Sequence, residues 1–234
     1  MLKLWYPATG KEQQIEIPAS SASYIYSIAF SPDGKLLASS SDRMVGVWNP
    51  ATGRLMQFFL HYGKKAQSIA FSPDGKLLAS VWEDGVVKVW DPHTGSEVEK
   101  FVPHNGRSSA IFFSPDGRLL VSSAFDNTIK TWDPVTGLKQ QLTLAGYGGD
   151  IESITFSPSG KILASASFDK EVKLWDLTTG RAQGTLMRRS KCSTTLAFSP
   201  DGSMLAYATN PYSVAGGLNE EKNDVDLWKL HGHK

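Results

Sequence analysis

The sequence predicts an all-β protein built from repeated four-stranded sheets, and three observations lead to this fold class. The motif Phe-Ser-Pro-Asp-Gly, or a near copy, recurs with a spacing of 41–43 residues, beginning at Phe30, Phe71, Phe113, Phe156 and Phe198. A tryptophan at the end of an apolar alternation keeps the same rhythm, at Trp5, Trp48, Trp90, Trp132, Trp175 and Trp228. Short alternating segments bounded by turn residues fill the intervals, as expected of strands. A fixed period of this length is typical of repeat architectures.

The repeat over residues 24–60 shows the expected unit. Residues 24–30 alternate as a first strand, and Ser31-Pro32-Asp33-Gly34 then turns the chain, because proline presets φ and glycine accepts a positive φ. Residues 36–40 form the second strand, residues 44–48 the third and residues 54–60 the fourth. The unit is therefore an antiparallel meander with short loops.

A single sheet of this kind cannot bury both of its faces, so the copies must stack on one another. Arranged radially, they form a β-propeller or part of one. We expect one domain over residues 1–234, with complete blades at 24–60, 66–102, 108–144 and 151–187. A partial first blade covers residues 1–18, and a last blade covers residues 193–230. An insertion at residues 210–223 in the last blade is expected to be a tolerated surface loop.

The incomplete end blades leave two arrangements open. The predicted strand at residues 13–17 could complete the last blade and close a five-bladed ring. Alternatively, the chain is a fragment, or an open arc that another copy completes by self-association through the end blades. We favour the second arrangement, because the ring would leave residues 2–5 as a surplus exposed edge.

The repeated string also carries a family resemblance. Phe-Ser-Pro-Asp-Gly-Lys-Leu-Leu-Ala-Ser, followed by Asp, an apolar pair, Trp-Asp and Thr-Gly, resembles the WD repeat of β-propellers. The resemblance runs from Leu2 to about Lys229 and is closest in style to the C-terminal WD arrays of NACHT-type signalling proteins. Trp-Asp itself occurs three times, beginning at Trp90, Trp132 and Trp175.

The resemblance implies a buried network in which His, Ser or Thr, Asp and Trp of one blade are hydrogen-bonded together. The third complete blade has the full set, consisting of His104, Asp126, Trp132 and either Ser122 or Ser123. The other blades are expected to hold partial versions, because His61 is one residue out of register and Tyr147 and Arg189 stand in the histidine's place. These partial versions are built on Asp42 and Trp48, Asp84 and Trp90, and Asp169 and Trp175.

Composition excludes several classes of function. A net charge of +1 gives no global field that would attract nucleic acid or an acidic membrane. Cys192 is the only cysteine, so an intrachain disulfide cannot form and a reducing compartment fits. The N-terminus lacks the apolar core of a signal peptide, and no apolar run approaches the length of about 18 residues that a membrane span needs. We therefore expect an intracellular, cytoplasmic protein.

Binding is favoured over catalysis. The five histidines do not recur at ligand spacing, and a turn explains every Asp-Gly pair. We expect a non-enzymatic scaffold without cofactor or metal that binds a peptide or protein. The alternatives are a ligand-sensing C-terminal segment of a larger NACHT-like regulator and, least favoured, a small-molecule hydrolase on a propeller scaffold.

The resemblance implies that the partner docks on the top face, where loops join strand four to strand one and strand two to strand three. Equivalent positions of the repeats are expected on that rim, at Tyr24, Tyr26, Lys65, Gln67, Glu83, Arg107, Phe125, Asp150, Glu152 and Phe168. Their identities vary from blade to blade while the framework repeats, which favours an asymmetric recognition surface. The alternative for Phe125 and Phe168 is packing between neighbouring blades.

Overall fold

The computed structural model describes residues 2–6, 8–15, 24–137, 139–169, 171–188, 192–210 and 225–230. These residues form 21 strands arranged in six sheets, and each sheet is an antiparallel meander in chain order. We number the sheets blade 1 to blade 6. The predicted all-β fold, with four complete blades between an incomplete first and an incomplete last blade, is confirmed. No helix in the described part of the chain is long and apolar enough to cross a membrane.

The strands have the following bounds. Blade 1 contains β1 (Leu2–Tyr6) and β2 (Lys11–Ile15). Blade 2 contains β3 (Ile25–Phe30), β4 (Leu37–Ser41), β5 (Met44–Trp48) and β6 (Leu55–Leu60). Blade 3 contains β7 (Ala66–Phe71), β8 (Leu78–Trp82), β9 (Val87–Trp90) and β10 (Glu97–Phe101). Blade 4 contains β11 (Ser108–Phe113), β12 (Leu120–Ala124), β13 (Ile129–Trp132) and β14 (Lys139–Leu144).

Blades 5 and 6 follow the same plan. Blade 5 contains β15 (Ile151–Phe156), β16 (Ile162–Ser167), β17 (Glu171–Asp176) and β18 (Arg181–Arg188). Blade 6 contains β19 (Cys192–Phe198), β20 (Met204–Asn210) and β21 (Val225–Lys229). Of the predicted insertion at residues 210–223, all but Asn210 lies outside the described residues.

The recurring Ser-Pro-Asp-Gly motif closes the turn between strands one and two. In blade 2 the Ser31 hydroxyl donates to Asp33 Oδ1 at 2.7 Å and accepts the Leu36 N–H at 2.9 Å. Gly34 has a φ of 70°, which a residue with a Cβ adopts only under strain. The serine accepts the N–H five residues later in every other copy as well, at Ser72, Ser114, Ser157 and Ser199. The first serine and the glycine therefore recur because the turn requires them, whereas Ser159 takes the aspartate's place in blade 5.

The hydrophobic core lies between successive blades. Ala38, Val47 and Phe59 of blade 2 share one buried cluster with Ile69 and Trp90 of blade 3. The Phe59 and Trp90 rings stack with their centres 4.3 Å apart. Each blade thus covers the tryptophan of the next, and the array is stable only as a stack.

Contacts between the innermost strands run in series through β3, β7, β11, β15 and β19. At the start of this series, β2 pairs with β1 and the two form a separate sheet. In the described part of the chain β2 does not pair with the last blade, so the described residues do not form the five-bladed ring, in which residues 13–17 would pair with that blade. The hairpin stays on blade 2 because Leu2 and Ile15 are buried against Leu37 and Trp48.

Candidate protein-interaction surface

Blade 4 holds a histidine network that links two loops of the rim. His104 Nε2 lies 2.8 Å from the Ser122 hydroxyl, and His104 Nδ1 lies 3.0 Å from Asp126 Oδ2. The Trp132 indole N–H donates to the same Ser122 hydroxyl at 3.3 Å. Of the two serines that the sequence left open, Ser122 is thus the one within reach, whereas Ser123 bonds another serine.

Burial and hydrogen bonding shift the pKa values of His104 and Asp126. Burial lowers the pKa of His104, although the neighbouring Asp126 carboxylate works in the opposite direction. Burial alone would raise the pKa of Asp126, but hydrogen bonds from Thr128 and His104 outweigh it and keep this pKa below its ordinary value. Asp126 also accepts the backbone N–H of Asn105 at 3.2 Å. The carboxylate therefore ties the loop before strand one to the loop after strand two.

Blade 3 builds the corresponding site with different side chains. The indole N–H groups of Trp82 and Trp90 both donate to the Ser80 hydroxyl, each at 3.1 Å. His61, although out of register, reaches Asp84 Oδ2 at 2.8 Å, and its ring packs against Trp82 with the ring centres 5.0 Å apart. We did not predict Trp82 from the sequence. The available signal was a tryptophan at the end of strand two, where the complete blades on either side have serine or alanine.

In blade 2 a tyrosine of strand one binds the rim aspartate. The Tyr26 hydroxyl donates to Asp42 Oδ1 at 2.6 Å, and this bond, with burial, raises the pKa of Tyr26 to about 12. The Trp48 indole donates to the Ser39 hydroxyl at 2.9 Å. Tyr26 therefore holds the loop after strand two, and its predicted role in partner binding stays a prediction.

In blade 5, Tyr147 stands where blade 4 has its histidine. The Trp175 indole N–H donates to the Tyr147 hydroxyl at 2.6 Å and to the Ser165 hydroxyl at 3.0 Å. Tyr147 also bonds Ser165, and burial raises the pKa of the tyrosine. The rim aspartate of this blade, Asp169, accepts the backbone N–H of Gly148 at 2.6 Å. Arg189, at the same place in blade 6, lies outside the described residues.

The predicted rim residues of blades 3, 4 and 5 occupy equivalent places. In each of these blades the residue after strand two donates its backbone N–H to the carbonyl oxygen of the residue just before strand one, at 2.9 Å. The three pairs are Glu83 and Lys65, Phe125 and Arg107, and Phe168 and Asp150. The two side chains of each pair therefore start from adjoining points on one end of the array.

Side chains of neighbouring blades contact each other along this rim. Lys65 Nζ lies 5.9 Å from the centre of the Tyr26 ring. Arg107 Nη2 donates to Gln67 Oε1 at 3.1 Å, and Ser109 donates to the carbonyl oxygen of Ile151 at 3.0 Å. These contacts join blades 2 to 5 into one continuous surface.

The large side chains of the rim are open to solvent. Tyr24, Phe125 and Phe168 are exposed to 69%, 39% and 47%. Phe125 and Phe168 are therefore not buried between blades. The Arg107 guanidinium carbon lies 5.2 Å from the centre of the Phe125 ring, so the two form a cation–π pair at the surface.

Two of the predicted rim residues carry a buried polar atom that has no hydrogen-bond partner among the described residues. The two atoms are Gln67 Nε2 and Glu152 Oε2, at equivalent positions of strand one in blades 3 and 5. Burial, together with the charge of Asp150, raises the pKa of Glu152. The charged rim residues are Lys65 and Glu83 on blade 3, Arg107 on blade 4, and Asp150 and Glu152 on blade 5.

A family model described as the IFT122 first beta-propeller matches residues 24–209. The chain belongs to this family. The match covers blades 2 to 5 and continues through β19 and most of β20 in blade 6, where it ends at residue 209. Propellers of this kind typically mediate protein interactions.

Solved structures show the same fold for this IFT122-type propeller. A chain in the crystal structure of the mitotic checkpoint complex aligns with a TM-score of 0.84 and 17% identity, covering 97% of this chain and 67% of that chain. Because 1790 chains of solved structures match, the likeness identifies the fold and does not select a partner. No curated protein matches the sequence. The narrower resemblance to NACHT-type arrays stays a prediction.

The opposite rim of this propeller differs in chemistry. Its turn carboxylates accept hydrogen bonds from the serine of the same turn and from the backbone N–H two residues on, and these bonds lower the pKa of Asp33, Asp74, Asp116 and Asp201. The described residues contain no group of three or more His, Cys, Asp or Glu side chains that could hold a metal ion. The polar groups of these turns are thus satisfied within the turns themselves.

Proposed function

We propose that this chain is a non-enzymatic protein-interaction module that binds a peptide or protein on the rim formed by Tyr24, Tyr26, Lys65, Gln67, Glu83, Arg107, Phe125, Asp150, Glu152 and Phe168. The contrast between the two rims supports this proposal. One rim repeats a single satisfied turn, whereas the other presents side chains that differ in every blade. A surface that varies on a constant framework is suited to recognising an asymmetric partner.

The residue types on the variable rim are those that anchor protein interfaces. Exposed tyrosine, phenylalanine and arginine bury a large area at low entropic cost when a partner covers them. Arg107 is held between Gln67 and Phe125, so little of its freedom remains to be lost on binding. We therefore place Arg107 at the centre of the binding surface.

The charges of the rim indicate the chemistry of the partner. On blade 3 the cation Lys65 and the carboxylate Glu83 adjoin each other, whereas blade 4 carries Arg107 and blade 5 carries Asp150 and Glu152. This order favours a peptide with an acidic residue near Arg107 and a basic residue near Asp150 and Glu152.

Affinity capture from cell extract followed by quantitative mass spectrometry tests this function. The wild-type chain, Arg107→Ala and Lys161→Ala are compared, because Lys161 lies beside the turn on the opposite rim. We expect proteins that the wild type and Lys161→Ala retain and that Arg107→Ala loses. A capture profile that Arg107→Ala leaves unchanged and Lys161→Ala abolishes would overturn the proposal.

A further inference from the structure

A lysine on strand three of blades 3, 4 and 5 is largely covered by protein. The three residues are Lys88, Lys130 and Lys173, each two residues before the tryptophan of its blade. Lys88 and Lys173 are exposed to only 7% and 8%. Lysine is rarely buried unless its ammonium group has a partner, because removing the charge from water is costly. The sheet itself does not require this lysine, since blades 2 and 6 form the same strand with Gly46 and Asp226 at this place.

In blades 4 and 5 the ammonium group of this lysine binds the loop that leads into strand one. Lys130 Nζ donates to the carbonyl oxygen of Pro103 at 2.5 Å, and Lys173 Nζ donates to the carbonyl oxygen of Gly146. In both blades the contact joins residues that are 27 positions apart in the sequence. Each of these carbonyl groups belongs to the residue just before the network side chain, which is a histidine in blade 4 and a tyrosine in blade 5.

The lysine completes a set of contacts to three successive loop residues. In blade 4, Lys130 holds the carbonyl group of the first residue, and the second residue is His104 of the buried network. The third residue, Asn105, donates its backbone N–H to Asp126 at 3.2 Å. Blade 5 repeats the same three contacts at residues 146–148. The start of each loop is therefore fixed to strands two and three of its own blade.

Blade 3 has the lysine without this contact. Lys88 Nζ lies 3.3 Å from Glu97 Oε2 on strand four and 5.0 Å from the centre of the Trp90 ring. Among the described residues it has no hydrogen bond to the loop before strand one. The histidine of this blade, His61, is also the one that is out of register. The loop contact thus accompanies a network residue that is in register.

We propose that Lys130 and Lys173 are positioning residues for the binding rim. Each holds the start of a loop whose last residue is a rim residue, Arg107 in blade 4 and Asp150 in blade 5. A loop that is held before the partner arrives loses less freedom on binding, so the affinity is higher. This inference rests on the proposed function, in which Arg107 lies at the centre of the binding surface.

Amide hydrogen exchange, measured by NMR on the full chain, tests the proposal without a partner. The reporters are the Asn105 and Gly148 amides, each of which donates to the rim aspartate of its blade. Lys130→Met should accelerate exchange of the Asn105 amide by about tenfold or more and leave that of Gly148 unchanged, because only the blade 4 loop is released. Lys173→Met should do the reverse, so each variant is the control for the other.

Further variants separate positioning of the loops from general stability. Lys88→Met removes an equally buried lysine that does not hold a loop, so it should accelerate neither reporter amide. Lys130→Arg keeps a donor and should retain most of the protection of the Asn105 amide. Lys130→Leu, which also lacks a donor, replaces Lys130→Met if circular dichroism shows that the latter is unfolded.

Capture from cell extract measures the consequence for binding. Proteins that the wild type retains and Arg107→Ala loses should be recovered about threefold less by Lys130→Met, and as by the wild type with Lys88→Met. If no protein depends on Arg107, the proposed function is wrong, and the exchange measurement still decides whether the lysines hold the loops.

Two results would overturn the inference. Unchanged exchange of both reporter amides in Lys130→Met and Lys173→Met, or equal acceleration of both amides by each variant, would show that the lysines do not hold individual loops. Wild-type recovery of the Arg107-dependent proteins by Lys130→Met would show that binding does not depend on the position of the blade 4 loop.

Discussion

The indole nitrogen of Trp82 lies 3.1 Å from the Ser80 hydroxyl, in the place where the next blade has a bond between histidine and serine. His61 is displaced outward onto the Trp82 ring and still reaches Asp84. A change in side-chain volume on strand two is thus compensated by a one-residue change in the position of the histidine. Blade 3 therefore keeps its rim aspartate anchored without the residue pattern that marks blade 4.

Replacing Ser80 should destabilise the protein more than replacing Ser39. Ser80→Ala leaves two buried indole N–H groups without an acceptor, at a cost of about 2–4 kcal/mol in the free energy of unfolding. Ser39→Ala leaves one such group, the Trp48 indole, at a cost of about 1–2 kcal/mol. Urea denaturation of both variants measures the difference. Equal losses would mean that Trp82 does not depend on Ser80.

Trp132→Ala should cost roughly 3–5 kcal/mol, because a buried indole and its hydrogen bond are both lost. The ring also packs against Phe101 of blade 3, so the loss weakens the contact between two blades. Trp132→Phe is the control that retains most of the packing, and it should cost clearly less. A melting temperature for Trp132→Ala equal to that of the wild type would contradict the network in blade 4.

Stability should fall on mild acidification because of His104. Its pKa is lower in the folded state, mainly through burial, so the unfolded chain takes up a proton near its ordinary value of about 6.5 while the folded chain does not. The contribution of His104 to the free energy of unfolding is therefore complete above about pH 6.5. It is lost as the pH falls toward the folded-state pKa. Urea denaturation at about pH 7.5 and about pH 5.5 measures this loss.

The matched variant for this measurement is His104→Gln, which keeps a polar side chain and removes the titration. Its free energy of unfolding should change less between the two pH values than that of the wild type. The pKa of Asp126 is also lowered, but its contribution is lost only at more acidic pH. A wild type and a variant with the same pH dependence would show that His104 does not cause the loss.

Much of the fold follows from local residue requirements. Gly34 and Ser31 are needed by one turn geometry wherever it occurs, so their recurrence predicted the blades. The spacing of His104, Asp126 and Trp132 likewise follows one blade and indicated the members of its network.

The parts that were not predicted depend on contacts between residues with no fixed spacing. The bond from Arg107 to Gln67 joins two blades, and nothing in either repeat encodes it alone. The bond from Tyr26 to Asp42 arises because a large side chain stands on strand one of blade 2, where blade 4 has a serine. Such contacts depend on side-chain size and on the position of the neighbouring blade.

Tyr26 should affect both stability and binding, and two variants separate these effects. Tyr26→Phe removes only the hydroxyl that donates to Asp42 and should cost about 1 kcal/mol in stability. Tyr26→Ala also removes the ring that Lys65 covers, so it should weaken partner binding as well. Thermal melting and partner titration on the same preparations provide both values. Equal partner affinity for the two variants would exclude the ring from the interface.

Isothermal titration of a captured partner into the wild type, Arg107→Ala, Lys35→Ala and Lys161→Ala tests the variable rim most directly. Lys35 and Lys161 lie beside turns on the opposite rim and are exposed, so their removal should leave folding unchanged. We predict that Arg107→Ala weakens binding by more than about 1 kcal/mol while both lysine variants bind as the wild type does. Wild-type affinity in Arg107→Ala together with a loss in the lysine variants would place the site on the opposite rim and contradict the account.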